Sequence, residues 1–215
     1  QYVSRTYINN FCFYLAMVNI DELVELVSKE IDLRSPDKGL IKRYLGLIRE
    51  QSTTDPLVGL RNRTYGERAL QEAKQASDQS EIPFSFFMFD VVDLSYYNNK
   101  FSRRIGDLAI QSAAQFLLSH SRRKDDLFRY GESADEFGQI LRGADEEVAT
   151  AYRKRIHKAM ESHALNFRHK FRTYELPVRL HIGYSTYSPN SDLDYVILKA
   201  NEMMNQTKDL NTNQL

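Results

Sequence analysis

The sequence has few of the residues that build disulfide frameworks, zinc sites or membrane spans. Cys12 is the single cysteine among 215 residues, so no internal disulfide can form and no cysteine-rich metal site is expected. The five histidines show no zinc-binding spacing. The longest apolar run, 11–18, is shorter than the ~20 residues of a membrane helix. Net charge is zero, so no overall positive field favours nucleic acid, and none is expected as a partner.

The composition is that of a globular protein with a sizeable core. Hydrophobic residues make up 42% of the chain and charged residues 27%. A lone cysteine fits the reducing cytoplasm, where we expect the protein to reside. Because the sequence begins at Gln1, an alternative is that it is the cytoplasmic part of a longer, membrane-attached sensor.

Two regions are predicted, with a boundary near the capping cluster 52–56. Residues 1–50 show apolar positions at three- to four-residue spacing and are predicted to be helical. This segment is interpreted as a small helical bundle or, alternatively, as a signalling stalk that pairs two chains or binds a partner protein. Residues 51–215 are predicted to form a separate domain.

The second region alternates strand and helix patterns. Strands are predicted at 84–92, 127–130, 136–141 and 178–184, and helices at 105–121, 144–163 and 194–209. The two short strands at 127–130 and 136–141 are predicted to form a hairpin. This order predicts an α+β fold with a central, mainly antiparallel sheet flanked by helices.

Three acidic residues stand at the ends of predicted strands. Asp90 ends the most apolar strand, where an ionised carboxylate is costly unless it is paired or metal-bound. Asp135 and Glu136 lie in the hairpin and meet Asp90 if the hairpin lies beside that strand. Such a cluster of oxygens suits Mg²⁺ bridging nucleotide phosphates. The alternative is that Asp90 merely ends a strand and Asp135 shapes a turn.

Motif order then points to a family. The stretch 55–63, DPLVGLRNR, resembles the DxLTGLxNR motif of GGDEF domains. From Asp90 the family pattern D-x-D-x-F-K-x-x-N-D-x-x-G-x-x-x-G-D aligns without a gap and keeps Asn98, Gly106 and Asp107.

Three further stretches continue the resemblance. SADEF at 133–137 stands where the GGDEF signature belongs, and 178–185 resembles the VTVSIGVA strand. Residues 200–213 resemble the closing ADxALYxAKxxGRN helix and keep Lys208. Together the motifs cover about 52–213 in the correct order, which makes the resemblance specific although no single motif is.

The resemblance implies a nucleotidyl-cyclase-like fold and a set of roles. Asp90 and Asp135 would bind Mg²⁺ if GTP is bound, with Asp135 and Glu136 as the catalytic carboxylates. Asn98 and Asp107 would hydrogen-bond the guanine edge, and Lys208 would contact phosphates. The family condenses two GTP molecules to cyclic di-GMP across a homodimer, so GTP, cyclic di-GMP and a second copy are the expected partners.

Several family positions are changed, which predicts a degenerate site. Ser133 and Ala134 replace the two glycines that let the backbone approach phosphates. Gly131 and Glu132 look like a two-residue insertion before the signature, although another register keeps Gly131 as the first glycine. Val92, Ser95 and Thr212 stand in place of a carboxylate, a lysine and an arginine. We therefore expect weak or absent cyclase activity.

An inhibitory-type site is predicted just before the hairpin. Arg122 and Asp125 form the RxxD motif that in the family binds cyclic di-GMP. An arginine can bond guanine O6 and N7, and an aspartate can accept from guanine donors. RxxD recurs elsewhere in the chain, so position alone favours this copy, and the alternative is a solvated basic turn. Arg153 or Arg155 is a candidate for completing the site.

Three functions remain open from sequence. The first is a degenerate GGDEF domain that binds cyclic di-GMP at Arg122 and Asp125, and GTP in the cleft, with little or no turnover. The second is an active diguanylate cyclase, since the carboxylates and Lys208 survive. The third is a dimerisation module without nucleotide affinity.

Overall fold

The computed structural model describes residues 53–130 and 135–212. The chain divides between Thr54 and Asp55 into two units, and the described helices and strands all lie in the second unit. The helical prediction for 1–50 and the changed signature positions 131–134 lie outside the described residues.

Five helices and six strands make up the described part of the chain. In chain order they are α1 (Arg63–Ser80), β1 (Phe84–Val91), α2 (Leu94–Lys100), α3 (Arg103–His120), β2 (Asp126–Arg129), β3 (Glu136–Arg142), α4 (Glu146–Met160), β4 (Ala164–His169), β5 (Arg172–Pro177), β6 (Leu180–Tyr187) and α5 (Leu193–Thr212).

The main sheet is antiparallel and has the strand order β2-β3-β1-β6. This confirms the predicted α+β fold with a central antiparallel sheet. The strands β4 and β5 form a separate two-stranded sheet. All strands and helices predicted for the second region are found, with ends shifted by a few residues.

Three elements are absent from the sequence prediction: α1, α2 and the β4–β5 hairpin. Helix α1 buries only Gly66, Ala69, Leu70, Ala73 and Ser77, so small residues replace the apolar stripe that indicates a helix. Helix α2 has seven residues, too few to show a period. In the hairpin Phe167 is the one buried residue and all other positions are partly or fully exposed, so its apolar pattern is weak.

Strand β1 is buried on both faces, which explains its unbroken apolar sequence. Phe84, Phe86 and Met88 pack in the layer with α1 and α5. Phe87 and Phe89 point the other way, into the larger cluster with α3 and α4. The sheet is therefore the middle of three layers, and the polar end of β1 is held at a fixed position between them.

Helix α5 lies directly on β6. A β-carbon on Gly183 would stand 2.0 Å from the carbonyl oxygen of Ala200 and 2.3 Å from the amide nitrogen of Met204. Ala200, Met204 and Lys208 recur every four residues and so share one face of the helix. The close approach at Gly183 thus directs Lys208 toward the end of β1.

Candidate functional site

The acidic residues at the strand ends come together in the structure. Asp90, at 7% exposure, lies opposite Glu136 on β3 and His181 on β6. The amide of Val91 donates to the carbonyl oxygen of Asp135 at 3.2 Å. The hairpin therefore lies beside β1, and it brings Asp135 and Glu136 to the same end of the sheet as Asp90.

One lysine partly neutralises this carboxylate cluster. The Nζ of Lys208 donates to Oδ2 of Asp90 at 2.7 Å. Burial, and then the charge of Asp90, raise the pKa of Asp135 above its ordinary value. The same two causes, in the same order, raise the pKa of Glu136. The cluster therefore carries more negative charge than Lys208 neutralises. Shifted pKa values of this kind are typical of functional sites.

The donor set suits a hard cation. Mg²⁺ binds through one or two carboxylates and takes its other ligands from water and substrate phosphates. Across 53–130 and 135–212, no group of three His, Cys, Asp or Glu side chains is close enough to hold an ion alone. Asp90 and Asp135 could supply the two protein carboxylates of such an ion.

Neutralising Asp135 should stabilise the metal-free protein. A carboxyl whose folded pKa is raised binds more protons in the native state, so its cost to stability grows as pH rises above the ordinary value of 3.8. Asp135→Asn should raise the midpoint of thermal unfolding by a few degrees at pH 7, with chelator present. The gain should vanish below pH ~4.

The matched control is Glu161→Gln at an exposed position. That variant should unfold like the parent at both pH values. An Asp135→Asn protein that is less stable than the parent at pH 7 would contradict the picture of an under-neutralised cluster.

Asn98 and Asp107 lie together on α2 and α3. A β-carbon on Gly106 would stand 2.0 Å from Oδ1 of Asn98, so glycine here leaves room for the amide. Asp107 follows Gly106 directly and is partly exposed, as is Asn98. Between the two and the carboxylate cluster, the described residues provide no hydrogen bond or ion pair.

Arg122 and Asp125 form a closed pair. Nε and Nη2 of Arg122 donate to the two carboxylate oxygens of Asp125 at 2.9 and 3.0 Å. The Asp125 side chain is 0% exposed, whereas that of Arg122 is 38% exposed. The backbone amide of Arg122 also donates to Asp125, which fixes the turn before β2.

Of the two additional arginines, Arg155 faces this turn. Its Nη2 donates to the carbonyl oxygen of His120 at 3.0 Å, and its guanidinium stacks on the ring of Tyr152. Burial raises the pKa of Tyr152 to about 12. Arg153 lies near Tyr184 instead; burial raises the pKa of Tyr184, and the charge of Arg153 opposes that rise.

His181 is a site residue that sequence reasoning missed. It is 8% exposed beside Asp90, and burial lowers its pKa. Its Nδ1 lies 3.4 Å from Oγ1 of Thr207 on α5. Only the pairing of β1 with β6 brings this histidine to the carboxylates. Its signal in the sequence is a polar residue between Leu180 and Ile182, which are both buried.

The motif at 55–63 proves to be structural. Nη1 of Arg129 donates to both carboxylate oxygens of Asp55, at 2.9 and 3.0 Å. The same carboxylate accepts from the amides of Leu57 and Val58, and Gly59 has a positive φ of 69°. This turn ties the start of the domain to β2.

The family profile described as "Diguanylate cyclase, GGDEF domain" matches residues 52–214. The chain belongs to the GGDEF domain family. It is 27% identical over 175 residues to diguanylate cyclase DgcZ of Escherichia coli (strain K12), covering 80% of this chain and 55% of DgcZ. It is 25% identical over 172 residues to diguanylate cyclase A of Treponema denticola, covering 77% and 44%. The chain spans about half the length of these relatives.

Solved structures show the same GGDEF fold. The coiled coil and GGDEF domain of DgcB from Caulobacter crescentus, in complex with c-di-GMP, superposes with a TM-score of 0.73 at 19% identity, covering 86% of this chain and 94% of that one. The diguanylate cyclase SiaD from Pseudomonas aeruginosa, with its activator SiaC, superposes with a TM-score of 0.65 at 21% identity, covering 87% of this chain and 73% of that one.

No helix within the described residues is long and apolar enough to cross a membrane.

Proposed function

We propose that this GGDEF domain acts in cyclic di-GMP signalling as a degenerate member that binds cyclic di-GMP at Arg122 and Asp125 and has weak or absent cyclase activity. The observation that carries the proposal is the preformed Arg122–Asp125 pair, with Arg155 at the same turn. DgcB, similar in fold, is described in complex with c-di-GMP.

The geometry suits recognition of a guanine base and a phosphate. Arg122 is partly exposed and held by a buried carboxylate, so its guanidinium is oriented before a ligand arrives. The remaining N–H groups of this fork can donate to guanine O6 and N7 or to phosphate. Arg155 supplies a second cation from α4, while Asp125 positions Arg122 and is exposed only if that pair opens.

The cleft is proposed to hold GTP weakly. Asn98 and Asp107 would contact guanine, Lys208 a phosphate, and Asp90 with Asp135 a Mg²⁺ ion beside Glu136. Lys208 is paired with Asp90, so phosphate binding has to compete with that ion pair. Serine at 95 and threonine at 212 supply no positive charge. Each missing charge-assisted bond removes about 1–3 kcal/mol, so turnover falls by orders of magnitude.

The wider organisation is also a proposal. Residues 51–215 are taken as the GGDEF domain and 1–50 as a helical segment that binds a partner or a second copy. SiaD, a structural relative, is described in complex with its activator SiaC. A homodimer is expected because the family's reaction needs one GTP from each subunit. A cytoplasmic location fits a second-messenger protein.

Titration calorimetry on the ligand-stripped chain tests the proposal. Cyclic di-GMP should bind, and Arg122→Ala should weaken binding about a hundredfold, because it removes bidentate charge-assisted bonds. The matched control is Arg123→Ala, which removes the neighbouring exposed arginine. No binding by the parent protein, or equal losses in both variants, would disprove the site. Absence of affinity for any guanine nucleotide would favour the dimerisation module.

An assay on the same ligand-stripped chain tests the alternative of an active diguanylate cyclase. That alternative is favoured by the intact carboxylates and by the raised pKa of Asp135 and Glu136, which burial and the charge of Asp90 cause. The stripped chain is incubated with GTP and Mg²⁺ and the product is identified by mass. Cyclic di-GMP that disappears in Asp135→Asn establishes the cyclase, whereas no product supports the binding function.

A further inference from the structure

The β4–β5 hairpin carries an exposed aromatic residue at its tip. The two-residue loop between the strands is Lys170 and Phe171, and the Phe171 side chain is 94% exposed. Packing against the described part of the chain therefore does not explain why an apolar residue stands at this position.

The backbone of this loop is unfavourable for the residues that occupy it. Lys170 has φ 44° and Phe171 φ 66°, the left-handed values that a tight hairpin loop requires. Asparagine and glycine adopt such values readily, whereas bulky side chains do so at a cost in conformational free energy. Phe171 thus lowers stability at a position where folding gives it no compensating contact.

Positive charge surrounds the exposed ring. Arg168, Lys170 and Arg172 are all exposed, and 168–172 contains no acidic residue, although the whole chain has zero net charge. None of these three cations forms an ion pair with another described residue. The tip is therefore a local cationic surface with one apolar group at its centre.

An aromatic cluster holds the hairpin rigidly on the domain. The rings of Phe167 and Tyr174 stack at 5.5 Å, and Phe101 meets each of them edge-on at 5.0 Å. Phe101 lies at the junction of α2 and α3, so the base of the hairpin is fixed. Two residue pairs of the hairpin separate this cluster from the loop at 170–171, so the exposed ring extends from a fixed support.

We propose that this hairpin tip docks on a membrane surface that contains anionic lipids. Cations near such a surface are attracted to the headgroups, and a projecting aromatic ring can insert at the boundary with the acyl chains. A peptide needs a groove or pocket for its side chains, and single-stranded nucleic acid needs a charged channel with several stacking platforms. One exposed ring among exposed cations matches the lipid surface instead.

Vesicle co-sedimentation of the full chain tests the proposal. Vesicles of equal parts phosphatidylcholine and phosphatidylglycerol should bind the protein at low salt, and vesicles of phosphatidylcholine alone should bind it far more weakly. Lys170→Gln with Arg172→Gln should lower the partition coefficient about 25-fold, roughly fivefold for each charge. Lys154→Gln with Lys158→Gln removes two exposed cations from α4 as the matched control and should have little effect.

Phe171→Gly separates docking from folding. Partition should fall roughly tenfold because the inserted ring is lost. The midpoint of thermal unfolding should rise, because glycine tolerates positive φ. Lower binding by a more stable protein cannot result from misfolding.

Four outcomes would overturn the proposal. They are no binding to anionic vesicles, equal binding to both vesicle types, equal losses in the two double variants, and unchanged partition of Phe171→Gly. Binding of RNA or an acidic polypeptide through this tip, with vesicles left unbound, would assign it to a different partner.

Discussion

Gly183→Ala is expected to lower the free energy of unfolding by about 3 kcal/mol. The added methyl would lie 2.0 Å from the carbonyl oxygen of Ala200 and 2.3 Å from the amide of Met204, both backbone atoms of α5. A flexible side chain could move aside, but here the whole helix must shift. Urea denaturation of the parent and the variant measures the change.

The control is Gly59→Ala, which has positive φ and no atom within 4 Å of the added methyl. That change should cost about 1 kcal/mol through the backbone conformation alone. Equal losses in the two variants would show that α5 does not pack on Gly183 as described. A displaced α5 should also alter the Lys208–Asp90 pair, so Gly183→Ala is expected to weaken nucleotide binding in the cleft.

Arg129→Met should destabilise the domain by about 3 kcal/mol, because it leaves the carboxylate of Asp55 without its bidentate partner. The side chains of Arg129 and Asp55 are only 13% and 17% exposed. The lost pair joins the turn at 55–60 to β2, so local unfolding there should accompany the loss. Hydrogen exchange at the amide of Arg129, which donates to Arg61, reports it.

Lys199→Met is the matched comparison. Its ion pair with Glu202 has a similar distance, 2.7 Å, but both side chains are more than 40% exposed. An exposed pair contributes little, so this variant should stay within about 0.5 kcal/mol of the parent. If Arg129→Met were equally harmless, the Asp55 motif would not anchor β2.

Strand β2 connects the two proposed sites. Asp125, which holds Arg122, directly precedes β2, and Arg129 ends it near the carboxylate cluster. Between them Asp126 accepts from Tyr65 at 2.6 Å and from Arg142 at 2.9 Å. This four-residue strand is therefore fixed on both sides, so the distance between the turn at Arg122 and the cluster is set by rigid backbone.

Much of the fold follows from local sequence. The run at 84–91 is apolar throughout because both faces of β1 are buried, and such a run can be recognised without knowledge of its neighbours. The helix at 103–120 and the hairpin of β2 and β3 are likewise predicted from their periods. Helix α1 is not, because its buried face consists mostly of small residues and its period is faint.

The candidate site, like the fold, has features that the sequence predicts and features that only the structure reveals. The position of Arg122 and Asp125 just before the hairpin is enough to select them as candidates, although the same spacing recurs elsewhere in the chain. Sequence alone also identifies Asp90, Asp135, Glu136 and Lys208 as candidates, through the order of the motifs. It does not reveal that Asp125 is fully enclosed or that Arg155, rather than Arg153, faces the turn.

The sequence by itself determined the family, the order of the main strands and helices and the candidate residues, because these depend on local period and motif spacing. Only the tertiary structure decided which groups interact: Lys208 with Asp90, His181 with the carboxylates, and Arg129 with Asp55. These contacts join residues 74 to 118 positions apart along the chain. Strand register and the packing of α5 on Gly183 bring them together, and neither leaves a local signal in the sequence.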